Sequence, residues 1–214
     1  MSADGMQNAS KTLQENSIGV VLAGGRSQRM GDDKAALTIG GEPLLRRVVR
    51  RLEAALPHVL VIGPETLQPL APHARVVPDG TPGRGPLGGI VTAFAIFPTR
   101  LLFVVACDMP FVQPALVREL VRVAVETPDV DVVTLRSQRG FEPLHAVYRP
   151  SSLPAMHTRL ASGDGALHSL LQQLRVREVP RGELAHFDPA GLSAFNANTP
   201  DEWQRALELA AGEI

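Results

Sequence analysis

Six apolar residues in succession, Leu101 to Ala106, lead directly into Cys107-Asp108. No polar side chain interrupts the run, so a strand formed here is buried on both faces and belongs inside a sheet that helices cover. A second apolar run, residues 18–22, ends at the pair Gly24-Gly25 and reads as another buried strand feeding a loop. Pro43 opens an amphipathic helix, with Leu44, Leu45, Val48, Val49, Leu52 and Leu56 on one face. Arg46, Arg47, Arg50 and Arg51 are expected on its solvated face. Short β-branched runs at 59–62 and 75–77 follow, then a glycine-and-proline loop at 80–89 and a helix at 90–97. Beyond the central run, 114–126 reads as a helix and 131–135 as a strand. Strands alternating with helices predict a single α/β domain: a three-layer α/β/α sandwich with a mostly parallel, Rossmann-like sheet.

The second half is less regular. Strands are expected at 141–148, 176–179 and, briefly, 195–198, with helices at 151–160 and 166–174. Thr199-Pro200-Asp201-Glu202 places threonine three residues before glutamate with proline at the first helical position, which predicts a capped helix running to about residue 211. With no repeat and no low-complexity linker, one domain over 17–214 is expected, preceded by a loose tail at 1–16. At 214 residues, 44% of them hydrophobic, the chain can fill one core without a disulfide or structural metal.

The formal net charge of -1 gives no attraction for a nucleic-acid polyanion. The single cysteine, Cys107, has no internal disulfide partner, which fits a reducing compartment. The first 17 residues carry no apolar signal core, and no apolar run reaches the roughly 18 residues of a membrane span. A cytoplasmic protein with no membrane and no nucleic-acid partner is expected.

In open α/β sheets ligands bind beyond the carboxyl ends of the strands, and three features of this chain fall there. The first is the loop Ala23-Gly24-Gly25-Arg26-Ser27-Gln28-Arg29-Met30-Gly31-Asp32-Asp33-Lys34. Its glycines let backbone N–H groups approach an anion, and Arg26, Arg29 and Lys34 add positive charge. It is neither the ATPase phosphate loop nor the Rossmann fingerprint, and a plain strand-to-helix connector with solvated arginines is the competing interpretation. The second is Asp108, a carboxylate after a buried strand, which either caps the helix near Pro110 and Pro114 or holds Mg2+. The third is Asp79, followed by Gly85-Pro86-Leu87-Gly88-Gly89. Asp79 binds a ribose hydroxyl, steadies metal-bound water or starts the turn with Gly80, while the glycine stretch exposes amides at a helix N-terminus. His145 is the one histidine expected near the active edge; Cys107 reads as a small buried thiol. No Gly-x-Ser-x-Gly elbow is present.

Leu22-Ala23-Gly24-Gly25-Arg26, Arg29-Met30-Gly31 and Asp33-Lys34 together resemble the signature loop of nucleotidyltransferases with a glycosyltransferase-A-like fold. With Asp79, Gly85-Pro86-Leu87, Ala106-Cys107-Asp108-Met109-Pro110 and Asn196-Ala197-Asn198-Thr199-Pro200, the set resembles the molybdenum cofactor guanylyltransferase family over residues 18 to 210. That resemblance implies GTP binding by Leu22, Ala23, Gly24, Gly25, Lys34, Asp79, Pro86, Leu87 and Asp108. It further implies Mg2+ on Asp108 and catalysis by Lys34, Arg26 and Asp108, with molybdopterin as the acceptor. Asn196 and Asn198, at the last strand end, are expected to touch the acceptor or metal-bound waters, and His145, from its place near the active edge, is a further candidate for the acceptor. Molybdoenzymes or other cofactor-biosynthesis proteins are the implied partners. The family's asparagine at the end of the second strand is replaced here by Ile62-Gly63, which leaves base recognition to backbone groups. The alternatives are a molybdopterin cytidylyltransferase, a sugar- or polyol-phosphate nucleotidyltransferase, and a non-catalytic nucleotide-binding module.

Overall fold

A computed structural model describes residues 16–24, 34–137 and 140–212. The two apolar runs form adjacent central strands, β1 (Ser17–Leu22) and a later one, Leu101–Ala106, paired parallel over their whole length, with every residue buried. Between them the chain makes a short hairpin, β2 (Thr38–Ile39) with β3 (Glu42–Pro43), then α1 (Leu44–Glu53), β4 (Val59–Ile62), β5 (Arg75–Val77) and α2 (Gly85–Ile96). The second run is therefore β6, followed by α3 (Pro114–Glu126), β7 (Val132–Ser137) and β8 (Gly140–Tyr148). After these come α4 (Leu153–Ala161), α5 (Leu167–Leu171), β9 (Val176–Val179), α6 (Arg181–Leu184) and α7 (Pro200–Ala211).

Seven strands make one sheet in the order β5-β4-β1-β6-β8-β7-β9. Only β8 runs against the rest. Two residues separate β7 from β8, too few for a crossover, so β8 must return antiparallel and slots between β6 and β7. Alternate side chains along the central strands serve two cores. Val21, Val61, Phe103 and Val105 pack with Leu45, Val48 and Leu52 of α1 and Leu116 and Leu120 of α3. Ile18, Val20, Leu102 and Val104 pack with Leu87 and Ile90 of α2, Met156 of α4 and Leu167 of α5. The three-layer arrangement is as expected. No helix among the described residues is long and apolar enough to cross a membrane.

Some local expectations differ from the structure. α2 starts at Gly85, five residues before the position the apolar pattern suggests, because Gly85-Pro86-Leu87-Gly88-Gly89 is itself helical. Proline is tolerated in a helix's first turn, where its missing N–H has no intrahelical partner anyway. Residues 195–198 form no strand: the Ala197 N–H donates to the Asp108 carbonyl at 2.9 Å, and the rest of the segment runs as an irregular strap. The last helix begins with the expected reciprocal cap, Thr199 accepting from the Glu202 N–H and the Glu202 carboxylate accepting from the Thr199 N–H.

Candidate active site

The carboxyl ends of β1, β4, β5 and β6 open on one edge of the sheet, and a cleft of about 790 Å3 lies there. Gly24, Gly63, Pro64, Pro78, Asp79, Pro82, Gly83 and Gly85 line it. The Ala23 amide donates to the Ile62 carbonyl at 2.8 Å and the Leu22 carbonyl accepts from the Cys107 N–H at 3.1 Å, so backbone donation to a ligand starts from Gly24 onward. The Leu22 and Leu87 side chains belong to the core, which leaves only their main chains to meet a nucleotide, whereas Pro86 is exposed. Gly25 and Arg26 lie outside the described residues.

Asp79 is held rather than free. Its Oδ1 accepts from the Thr81 N–H at 2.9 Å and from the Thr92 hydroxyl at 3.0 Å. Thr92 Oγ1 also accepts from the Gly80 N–H at 3.0 Å and lies 2.9 Å from the Gly88 carbonyl, one turn back along α2. This threonine ties the strand end to the helix start. The sequence signal for it was a hydroxyl four residues after a glycine inside an apolar helix. Gly88 is required at the closest approach: a Cβ there would sit 2.5 Å from Thr81 Oγ1 and 2.8 Å from the Thr81 carbonyl oxygen. Gly63, where the family's asparagine would stand, is less tight, with a Cβ 3.1 Å from the Leu67 side chain and 3.3 Å from the Ala23 backbone.

Lys34 begins a one-turn 3-10 segment, Lys34–Ala36, that brings its side chain back under the sheet edge. Only 7% of that side chain is exposed, so its ammonium needs partners. It finds Asp108 Oδ2 at 3.1 Å and Asn198 Oδ1 at 2.9 Å. Lys34, Asp108 and Asn198 come from parts of the chain up to 164 residues apart, and they meet at one point beyond β6. Asp108 Oδ1 is buried with no hydrogen-bond partner among the described residues. An unmatched carboxylate oxygen costs roughly 1–3 kcal/mol or more, and it is the kind of ligand a hard cation takes together with substrate phosphates. Among the described residues no cluster of three or more His, Cys, Asp or Glu is present, and Asp108 is the carboxylate placed to hold a metal here.

The segment after Asp108 is anchored from below by α1, and here the expected solvated arginine face is corrected. Arg47 is buried, donates from Nε to the Pro110 carbonyl at 3.0 Å and lies 5.6 Å from the Phe111 ring centre. Arg51 donates to the Val112 carbonyl at 3.3 Å. Both flank the apolar stripe of Val48 and Leu52, whereas Arg46 and Arg50 point further out, to the Pro69 carbonyl and Glu42. Arginine is suited to this because its stem packs while its head donates.

His145 is also corrected. It pairs with Val105 in the β6–β8 ladder and its ring is fully buried, edge-on to Phe103 at 5.1 Å. Burial pushes its pKa down to about 4. Its Nε2 lies 2.7 Å from Ser193 Oγ, which accepts from the Gln113 N–H at 2.9 Å. The ring therefore supports the strap from behind and cannot touch an acceptor while the strap is in place. Asn198 reaches the site by holding Lys34, while the Asn196 side chain bonds to the Ala194 carbonyl within the strap.

A cleft at the carboxyl edge of a doubly covered sheet, with a lysine–aspartate pair just beyond the end of the central strand β6, marks an α/β protein whose ligand site lies at the strand ends. Residues 19–179 match the family described as the MobA-like NTP transferase domain, and the chain belongs to that family of nucleotidyltransferases. It is 35% identical over 192 residues to a probable molybdenum cofactor guanylyltransferase of Pelotomaculum thermopropionicum, covering 90% of this chain and 92% of that one. It is 36% identical to another of that description from Natronomonas pharaonis, over 89% and 96% of the two chains. The crystal structure of molybdopterin-guanine dinucleotide biosynthesis protein A from Archaeoglobus fulgidus superposes with a TM-score of 0.79 at 28% identity, covering 91% of this chain and 99% of that one.

Proposed function

We propose that this protein transfers the guanylyl group of GTP to the terminal phosphate of molybdopterin, giving the guanine dinucleotide form and pyrophosphate, in the cytoplasm. The names of its relatives supply the substrates. The observation that carries the chemistry is the meeting of Lys34, Asp108 and Asn198 beyond the end of β6, on the same sheet edge as the Gly24–Asp79–Gly85 cleft.

An oxygen of the acceptor phosphate forms a bond to the α-phosphorus of GTP while the α–β bridging bond breaks and its electron pair leaves with pyrophosphate. Two anions must approach, and a pair of unit charges at about 4 Å with an effective dielectric near 20 repels by roughly 4 kcal/mol. Because a phosphate needs no strong base, placement of positive charge dominates. Lys34 leaves Asp108 for the triphosphate and stabilises the departing pyrophosphate, with Asn198 keeping its ammonium aimed at the cleft. Mg2+, held by Asp108 with its unmatched Oδ1, would neutralise phosphoryl oxygens when bound. The α2 N-terminus, fixed by Asp79 and Thr92, offers amides and a positive helix end to the nucleotide. With Gly63 at the end of β4, the base is read by main-chain groups.

The test is incubation with molybdopterin and each of GTP, CTP, ATP and UTP in turn, following pyrophosphate and the dinucleotide product. GTP alone should give both. Preference for CTP would assign a cytidylyltransferase, and pyrophosphate release that does not depend on molybdopterin would assign another acceptor.

A further inference from the structure

Because β8 runs against β6, it ends at the amino edge of the sheet, and α4 returns from there to the carboxyl edge beside α2. Ile90 and Phe94 of α2 share a core with Met156 of α4. The turn between α4 and α5, residues 162–166, therefore arrives at the start of α2. There the Gly165 main chain closes on that of Arg84. A Cβ at Gly165 would sit 2.6 Å from the Arg84 carbonyl oxygen, which is backbone and cannot swing aside as a side chain can. From within α2, a Cβ at Gly88 would come to 3.2 Å from the Arg84 Cβ. Arg84 is thus held between its own helix and a turn from the other half of the chain.

That turn is fixed by its own bonds. The Asp164 N–H donates to the Arg159 carbonyl at 3.0 Å, and Asp164 Oδ1 accepts from the Ala166 N–H at 2.9 Å. Asp164 Oδ2 pairs with the guanidinium of Arg159, which is buried. Gly163, at φ 81°, takes the left-handed conformation that closes α4. Arg84 matters because it is the N-cap of α2, and an N-cap carbonyl accepts the first bond of its helix. First-turn amides have no partner inside a helix. Pro86 has none to offer, so Gly85, which lines the cleft at φ 64°, and Leu87 supply them here. Where the Arg84 carbonyl stands decides where those amides point.

We propose that Gly165 and Asp164 are positioning residues for the nucleotide: the α4–α5 turn sets the Arg84 carbonyl, and that carbonyl aims the α2 amides into the cleft. The role rests on GTP as the nucleotide bound there, but binding alone reads it. GTP with Mg2+ is titrated calorimetrically into the full chain and each variant, and dinucleotide formation at saturating GTP gives kcat. Gly165→Ala should weaken GTP by roughly tenfold or more, the loss of one amide bond to a charged phosphate oxygen. Asp164→Ala, which loosens the turn without a clash, should weaken it several-fold, with kcat little changed in both. Asp164→Asn keeps an acceptor for the Ala166 N–H and should recover most of the affinity. GTP affinity unchanged in both Gly165→Ala and Asp164→Ala, even with a lowered Tm, overturns the positioning role and leaves the proposed transfer standing. If affinity falls as expected yet no NTP yields a dinucleotide with the parent, the positioning role stands and the transfer fails.

Discussion

His145 offers a quantitative check on the packing behind the active edge. Its ring is enclosed between β6, β8 and the strap, and burial holds its pKa near 4 against an ordinary 6.5. The native state therefore keeps this ring neutral down to about pH 4, whereas the unfolded chain protonates it near pH 6.5. Between those values the unfolded state binds more protons, so stability is full above pH 6.5 and falls as the pH drops toward 4. The whole gap corresponds to about 3 kcal/mol, most of which is lost by pH 4.5. Five other histidines and the carboxylates titrate too, so the comparison is with His145→Gln, which keeps a polar contact for Ser193 and does not titrate. Urea unfolding of both proteins from pH 7.5 to 4.5 should show the stability advantage of the parent shrinking by about 2–3 kcal/mol. Curves that stay parallel within roughly 0.5 kcal/mol would refute the enclosed, neutral histidine.

Asp108→Ala removes the shared partner of Lys34 and the unmatched oxygen together, so steady-state turnover should fall by roughly a hundred- to a thousandfold, with circular dichroism unchanged. Lys34→Ala should lower kcat far more than it raises KM for GTP, because the charge counts most as pyrophosphate departs; the reverse pattern would assign it to ground-state binding. Gly88→Ala forces a Cβ against Thr81 and displaces the α2 start, so KM for GTP should rise while stability drops by about 1–3 kcal/mol in thermal melts. Asp131, held by the Arg175 guanidinium and amide and by Ser151, has its pKa lowered to about 2. Its contribution is present above pH 4 and lost as the pH falls through 2. Because Arg175 is 63% exposed and screened by water, Asp131→Asn should cost only about 1–2 kcal/mol in urea unfolding at pH 7.

The architecture was legible because the strongest signals were unbroken apolar runs, and a strand buried on both faces admits few arrangements. The placement of Asp79 and Asp108 at strand ends followed from the same runs. Proximity was a different matter. Nothing in the local pattern says that Asn198 meets Lys34, since that contact depends on how the strap crosses the end of β6. Asn-Ala-Asn looked like a strand by composition, yet its backbone bonds run to the Asp108 carbonyl and to Glu202 rather than to a sheet. His145 looked functional because Glu142-Pro143-Leu144-His145 was expected to face the active edge, but the ring is enclosed beside Phe103. Arg47 shows the converse: a charged residue read as solvated lies at the edge of a helix's apolar stripe and binds the chain just past Asp108.

A crystal structure with Mg2+ and a non-hydrolysable GTP analogue would test most directly whether one nucleotide spans the β1 loop and the β6 carboxylate. The triphosphate is predicted to lie between the Gly24 main chain and Lys34, with Asp108 released from the lysine and bound to the metal. A nucleotide bound elsewhere, with the Lys34–Asp108 pair still closed, would contradict it.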